Sequence, residues 1–256
     1  MIIHSYDDRS DALIDPAGAL KKEVVEAGRR SGIRVLIMVY SLKLVNELEA
    51  RGLIEVIDGK LKFGSAAGSN PVYRVRGTDT GILVSGVGAP LAAAMIEETS
   101  AVLGCKRFLV FGSCGALKEI PEGKLIVPVE AYRDEGTSYH YAEAADYIRI
   151  RNAEKLCGIL EELGAEFVTG RTWTTDAFYR ETVGSRDKRV LEGCICVEME
   201  CSALQAVCDF RGLELYQFFY AADSLNGEWS KRILGDLEMD SRIAYFFLAV
   251  KIAEKI

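Results

Sequence analysis

Histidine is scarce in this chain, with only His4 and His140 among 256 residues, and proline is sparse, with five. A zinc site would therefore have to be built almost wholly from thiolates, and we expect no metal. No apolar stretch approaches the roughly 18 residues that a membrane-crossing helix needs. The opening Met1-Ile2-Ile3-His4-Ser5-Tyr6-Asp7-Asp8 lacks the basic start and apolar run of a secretory leader. Clusters of Lys and Arg are missing too, and the net charge of -7 argues against a nucleic-acid partner, whose phosphates call for such clusters. Linkers, repeats and low-complexity segments are equally missing, so residues 1–256 are read as one domain. The seven cysteines, an odd number scattered from 105 to 208, fit reduced buried thiols better than a disulfide framework. A cytoplasmic location, with no membrane, is the expectation.

What is present is a series of short apolar runs bounded by turn residues. Segments 34–39, 81–85 and 107–111 read as strands buried on both faces, and 167–173, 194–197 and 216–222 extend the series. Helical patterns alternate with them at 90–103, 152–163, 198–211 and about 237–255. Fragments at 54–57, 60–63, 72–76 and 82–85, separated by Gly- and Asp-rich breaks, predict antiparallel hairpins. The fold class expected is α/β, a three-layer α/β/α arrangement around a mixed sheet. In such folds ligands sit just beyond the carboxyl ends of strands.

Three segments sit at such places. Gly86-Val87-Gly88-Ala89-Pro90-Leu91 leaves a strand and opens a helix, but it lacks the third glycine of a dinucleotide fingerprint. It is either a tight turn or one whose backbone N–H groups meet an anion or a sugar. Phe111-Gly112-Ser113-Cys114-Gly115-Ala116-Leu117 reads as a second turn, with room for a ligand, or as mere chain reversal. In Val197-Glu198-Met199-Glu200-Cys201, two carboxylates flank a methionine at a strand-to-helix junction. A carboxylate there can accept both hydrogens of a vicinal diol such as a ribose presents. The alternative is that both glutamates only favour the positive end of a helix.

Taken with Asp134-Glu135-Gly136-Thr137-Ser138-Tyr139-His140 and Thr174-Thr175-Asp176-Ala177-Phe178-Tyr179, the second and third of these segments occur in an order and spacing that resemble the nucleoside phosphorylase superfamily. The resemblance is to its uridine phosphorylase and hexameric purine nucleoside phosphorylase branch, and is strongest over 80–235. It implies cleavage of a nucleoside N-glycosidic bond by phosphate, giving free base and (deoxy)ribose 1-phosphate with no cofactor. By the same resemblance Met199 and Glu200 hold the ribose with Glu198 in support, and Phe178, Cys114 and Gly115 lie at the base. Ser113, Gly88 and Lys43 are assigned to phosphate. Asp223 is the candidate general acid at the base, supported by Arg232 or Lys231, with helix capping as its alternative. A homo-oligomer, dimer or hexamer, is also implied.

Departures from the family pattern are as informative. Leu44 and Val110 stand where the family's two phosphate arginines belong; Lys43, or Lys60 and Lys62 from a neighbouring subunit, are the substitutes on offer. The uracil-recognising Gln and Arg are missing from the stretch Arg180-Glu181-Thr182-Val183-Gly184. His4 lies too early for the family's N-terminal histidine, which Lys21 and Lys22 sit nearer to matching. His140 fits the motif, with a buried structural histidine as the alternative. Two other functions stay open: a nucleosidase using water, for which Glu47 and Glu49 are candidate activating groups, and a non-catalytic nucleoside binder.

Overall fold

The computed structural model describes residues 6–7, 10–66 and 68–256, so His4 lies outside the described residues. Two helices, α1 (Pro16–Ala19) and α2 (Lys22–Arg30), precede strand β1 (Val35–Val39), every residue of which is buried. Ser41 then caps α3 (Leu42–Ala50) by accepting the Leu44 N–H at 3.2 Å. The hairpin region follows as β2 (Ile54–Val56), β3 (Lys62–Ser65), β4 (Gly68–Pro71), β5 (Tyr73–Val75) and β6 (Thr80–Val84). As predicted it is antiparallel: β2 pairs with β5, β5 with β6, and β3 with β4 as a separate ribbon.

The remaining elements alternate. They are α4 (Ala89–Leu103), β7 (Arg107–Ala116), β8 (Leu125–Asp134), β9 (Tyr147–Arg149), α5 (Ala153–Glu162), β10 (Phe167–Thr175), α6 (Val183–Leu191), β11 (Cys194–Glu198), α7 (Cys201–Arg211), β12 (Glu214–Ser224) and α8 (Met239–Ala253). Strands run in the order β11-β10-β8-β12-β7-β1-β6-β5-β2, with β9 on β8. Alternate residues of β1 define the layers. Val35, Ile37 and Val39 pack with α3, α5 and α8 on one face, whereas Leu36 and Met38 pack with α2, α4 and α7 on the other. This is the mixed three-layer α/β/α arrangement expected. Among the described residues no helix is long and apolar enough to cross a membrane. All seven cysteines are free thiols.

Two features differ from the sequence expectation, and both shape the site. Segment 112–116 is not a turn: β7 runs on through it, because both its edges find partners. Phe219–Ser224 of β12 lie parallel to one edge, and Cys196 and Val197 of β11 lie antiparallel to the other. That second pairing curls one half of the sheet until β11 meets β7, which makes this half barrel-like. Glycine is what allows the curl. A Cβ at Gly115 would stand 2.5 Å from Leu225 Cδ1 and 3.0 Å from Val197 Cγ1, and one at Gly112 would stand 2.9 Å from the Tyr40 ring. The second difference is β8, missed because Pro128, Glu130 and Arg133 interrupt its apolar pattern. Bulges in β10, around Arg171, and in β12, between Ala221 and Asp223, re-aim the residues beyond them.

Buried polar groups join the motifs across this half. Arg133 Nε donates to Ser138 Oγ at 2.8 Å, the Ser138 amide donates to Glu135 at 2.9 Å, and Ser202 Oγ donates to the other Glu135 oxygen at 2.9 Å. The Ser202 amide donates to Thr174 Oγ1 at 3.1 Å, and Thr174 donates onward to Glu198 at 2.6 Å. Replacing Ser202 by Ala leaves a buried carboxylate oxygen of Glu135 without its hydroxyl, and should lower unfolding stability by about 1–3 kcal/mol. Urea denaturation of Ser202→Ala beside wild type checks this; an unchanged midpoint would show that the network is not stabilising.

Candidate active site

Glu198, the last residue of β11, is buried and surrounded by donors. One oxygen accepts from Thr174 Oγ1 at 2.6 Å and Thr172 Oγ1 at 3.3 Å. The other accepts the amides of Glu200 and Cys201, both at 2.7 Å, which closes the first turn of α7 around it. Burial pushes its carboxyl up to about 7, against hydrogen bonds that favour the charged form. Its oxygens are fully engaged, so its task is to fix the backbone of the next two residues. Those are Met199 and Glu200, which face the adjoining cavity.

Glu200 is held from across the sheet. The amide of Gly88, at the start of α4, donates to its Oε1 at 2.6 Å. Gly88 adopts a φ of 104°, open to glycine alone, which is how the Gly86-Val87-Gly88 turn presents that N–H. The turn thus contacts a carboxylate of the chain itself, and Gly88, assigned to phosphate by the sequence, lines neither the cavity beside Glu200 nor the one that holds Lys43. Burial, and then the nearby Glu198, push the Glu200 carboxyl up to about 8.

Asp223 forms the facing wall. The bulge in β12 sets it opposite Gly115, where a Cβ would stand 3.3 Å from its Oδ1. Burial raises its pKa above the ordinary aspartate value, with the Trp229 hydrogen bond opposing. The indole Nε1 of Trp229 donates to Oδ2 at 3.0 Å. Ser224 and Ser230 exchange backbone hydrogen bonds at 2.9 Å, folding the loop so that Trp229 comes back over Asp223. Arg232, expected to support Asp223, instead donates to the Ile120 carbonyl at 2.8 Å; its charge reaches Asp223 only as the weakest of four influences. Lys231 pairs with Asp236 at 2.6 Å.

Between these walls lies a cavity of about 380 Å³, lined by Ser113, Cys114, Gly115, Phe178, Met199, Glu200 and Asp223 among others. All the residues assigned to ribose and base therefore meet in one place, with Asp223 and Ser113. Glu181, which the sequence reading passed over, joins them: burial first, then the charge of Asp223, push its carboxyl up to about 7. Lys43 lies instead in a second cavity of about 410 Å³, and the two cavities share Tyr40, Ser113 and Leu234. Lys60 and Lys62 line neither. Leu44 and Val110 are buried core residues; Leu44 lines the second cavity and Val110 lines neither. His140 is not the buried residue weighed as an alternative; it is exposed, with its ring edge-on to Tyr6 at 4.3 Å.

A family model described as the phosphorylase superfamily matches residues 42–240. A guanosine phosphorylase of Halorubrum lacusprofundi is 34% identical over 141 residues, 54% of this chain and 58% of that protein. A purine nucleoside phosphorylase of DeoD type from Alkaliphilus metalliredigens is 28% identical over 145 residues, 55% of this chain and 62% of that one. A uridine phosphorylase of Thermococcus kodakarensis is 34% identical over 110 residues, 41% and 39% of the two chains. The match thus spans about three fifths, or less, of the length of these relatives. Among solved structures, the 5'-methylthioadenosine/S-adenosyl homocysteine nucleosidase of Campylobacter jejuni superposes with a TM-score of 0.67 at 18% identity, covering 88% of this chain and all of that one, which establishes a shared fold.

The raised carboxyls give the protein a directional pH dependence. Glu200 titrates near 8 when folded and near 4.5 ordinarily, so between these values the folded chain holds a proton that the unfolded chain releases. Stability should therefore fall as pH rises through that window, with Glu181 and Glu198 adding to the fall up to about 7. Chemical denaturation across the window should show this slope, and Glu200→Gln, which keeps an acceptor for Gly88 but removes the titration, should flatten its upper part. A slope of opposite sign would contradict the assignment.

Proposed function

The chain belongs to the phosphorylase superfamily, and from that premise we propose that it cleaves the N-glycosidic bond of a purine nucleoside, transferring the pentose to inorganic phosphate. One observation carries the reading: Glu200, oriented by the Gly88 amide, and Asp223, oriented by the Trp229 indole, stand on facing walls of a cavity that also holds Phe178. A nucleoside fits this pattern by placing its ribose diol on Glu200, its base against Phe178, and a base nitrogen toward Asp223.

The chemistry follows from where charge develops. As the bond from C1′ to the base nitrogen breaks, the bonding pair leaves with the base and the sugar becomes cationic. Asp223, whose proton is held more tightly through burial than an ordinary aspartate's, donates that proton to the base. The carboxyl oxygens of Glu200 offer acceptors to the ribose diol, and an oxygen of phosphate then bonds to C1′. The products are free base and pentose 1-phosphate. A purine offers N7 as the proton's destination, and the matches to guanosine and purine nucleoside phosphorylases support that class.

Water in place of phosphate is the second reading, favoured by Leu44 and Val110, whose burial leaves no arginine at the two places the family resemblance points to. Chromatographic detection of free base from guanosine, inosine, adenosine and uridine, with and without phosphate, separates the readings. Release dependent on phosphate supports the first, and release without it supports the second. No release from any of the four would reject both.

Within that assay, Asp223→Asn should lower kcat by about 10²–10⁴-fold, the usual contribution of a positioned general acid. Glu200→Gln should mainly raise the nucleoside KM. If Asp223→Asn turns over at the wild-type rate, Asp223 is not the proton donor.

A further inference from the structure

The nucleoside cavity is acidic. Glu181, Glu198, Glu200 and Asp223 all line it, and no lysine or arginine does. It offers a phosphate dianion four carboxyl groups and no cation to pair with. The cations lie beyond the shared wall. The second cavity is lined by Ser41, Lys43, Ser113 and Arg242, together with the first turn of α3.

We propose that Arg242 of α8 supplies the guanidinium which the chain lacks at positions 44 and 110, and so completes a seat for inorganic phosphate beside Lys43 and Ser113, the residues assigned to phosphate by resemblance; the inference rests on the phosphorolytic reading above. Arg242 is already set in place. Its Nε donates to the Leu237 carbonyl at 2.8 Å, Nη2 to the Gly235 carbonyl at 3.2 Å, and Nη1 to Ser41 Oγ at 3.1 Å. A guanidinium carries five N–H hydrogens, so one remains on each terminal nitrogen for an incoming oxyanion. Lys43 adds a second charge, and both cations act on Asp236, which is itself paired with Lys231. The N-terminal turn of α3 adds the positive end of a nine-residue helix.

Ser113 couples this cavity to the first. It is the strand partner of Tyr220, whose phenol feels the charge of Arg242. Ser113 also lines the nucleoside cavity, so an anion bound at its hydroxyl lies at the boundary that the sugar faces. Tyr40 and Leu234 are the rest of that boundary; the Tyr40 ring packs on Gly112, and its hydroxyl is buried without a hydrogen-bond partner among the described residues. Arg242 is thus assigned as a binding residue for the attacking group and Ser113 as the link to the sugar.

Calorimetry with inorganic phosphate, on the full chain without nucleoside, tests the site apart from turnover. Wild type should bind, and Arg242→Gln and Lys43→Gln should each weaken binding about tenfold or more, with Arg242→Lys in between. Lys43 is exposed and holds no backbone carbonyl, so its variant remains informative should Arg242→Gln fail to fold. In steady state, both Gln variants should raise the phosphate KM by a similar factor while the nucleoside KM moves less than about threefold. That split is one that a merely structural role for Arg242 would not give. Absence of phosphate binding to wild type overturns the proposal, as does a phosphate KM unchanged in both variants. Phosphate bound through Arg242 beside base release that ignores phosphate would leave the site standing and remove the phosphorolytic reading.

Discussion

A carboxylate placed in the interior must be given hydrogen-bond donors or lose its charge, and Glu198 is given four. Two are hydroxyls of β10, Thr172 and Thr174, and two are the amides that open α7. That one side chain therefore fixes the separation of β10 and β11, the entry angle of α7 and the backbone of Glu200. Thr174 passes the constraint on: it accepts from Ser202 while donating to Glu198, and Ser202 in turn holds Glu135. Motifs far apart in sequence, at 133–138, 172–174 and 198–202, become one buried polar unit. Such a unit is sensitive to the loss of any member, because what remains is left unpaired in a low dielectric.

The site depends equally on how the sheet departs from regularity. An unbroken β12 would shift Asp223 by one position and so turn it to the opposite face. The bulge at Ala222 restores it to the cavity, opposite a glycine that leaves room for its oxygen. Gly115 meets two demands there, because the antiparallel contact of β11 with β7 also passes over it. The curl that brings β11 to β7 is the same curl that brings Glu200, Ser113 and Asp223 around one space. Glycine at 112 and 115 is thus a requirement of packing as much as of ligand access.

How much of this could be read in the sequence depended on whether the signal was local. β1, β6, α4 and α8 announce themselves by apolar runs or helical period, and structure and expectation agree to within a residue or two at most of their ends. Glu198, Met199 and Glu200, which meet in one cavity, could be singled out because a carboxylate pair after a strand is unusual chemistry in a fixed place, and Phe178 only through the family resemblance. β8 was not, since Pro128 and its charged residues mask a strand whose partners lie elsewhere in the chain. The Gly-Ser-Cys-Gly segment looks like a turn because its small residues are there for neighbours that sequence does not display. Trp229, Glu181, Tyr40 and Arg242 reach their places through a folded-back loop, a short 3-10 turn, a glycine contact and a helix start. None of these carries a motif. Arg232 had the right charge and distance along the chain, but the backbone there takes a φ of 46° and directs the side chain to Ile120.

Separating charges of opposite sign into two adjoining spaces suits the bond that breaks between them. A sugar losing its base becomes cationic at C1′, and the carboxyl oxygens of Glu198 and Glu200 present the negative ends of their dipoles to that state. An anionic nucleophile needs cations, and the cavity that holds Glu198 and Glu200 offers none. Placing Lys43 and Arg242 behind the wall formed by Tyr40 and Ser113 allows each charge its own complement while leaving the two reactants neighbours. The burial that raises Glu200 and Asp223 also keeps the intervening space low in dielectric, where fixed charges act most strongly. Sequence positions that held arginine in the family pattern have become apolar core here, and the positive charge has moved to a helix on the other side of the cavity.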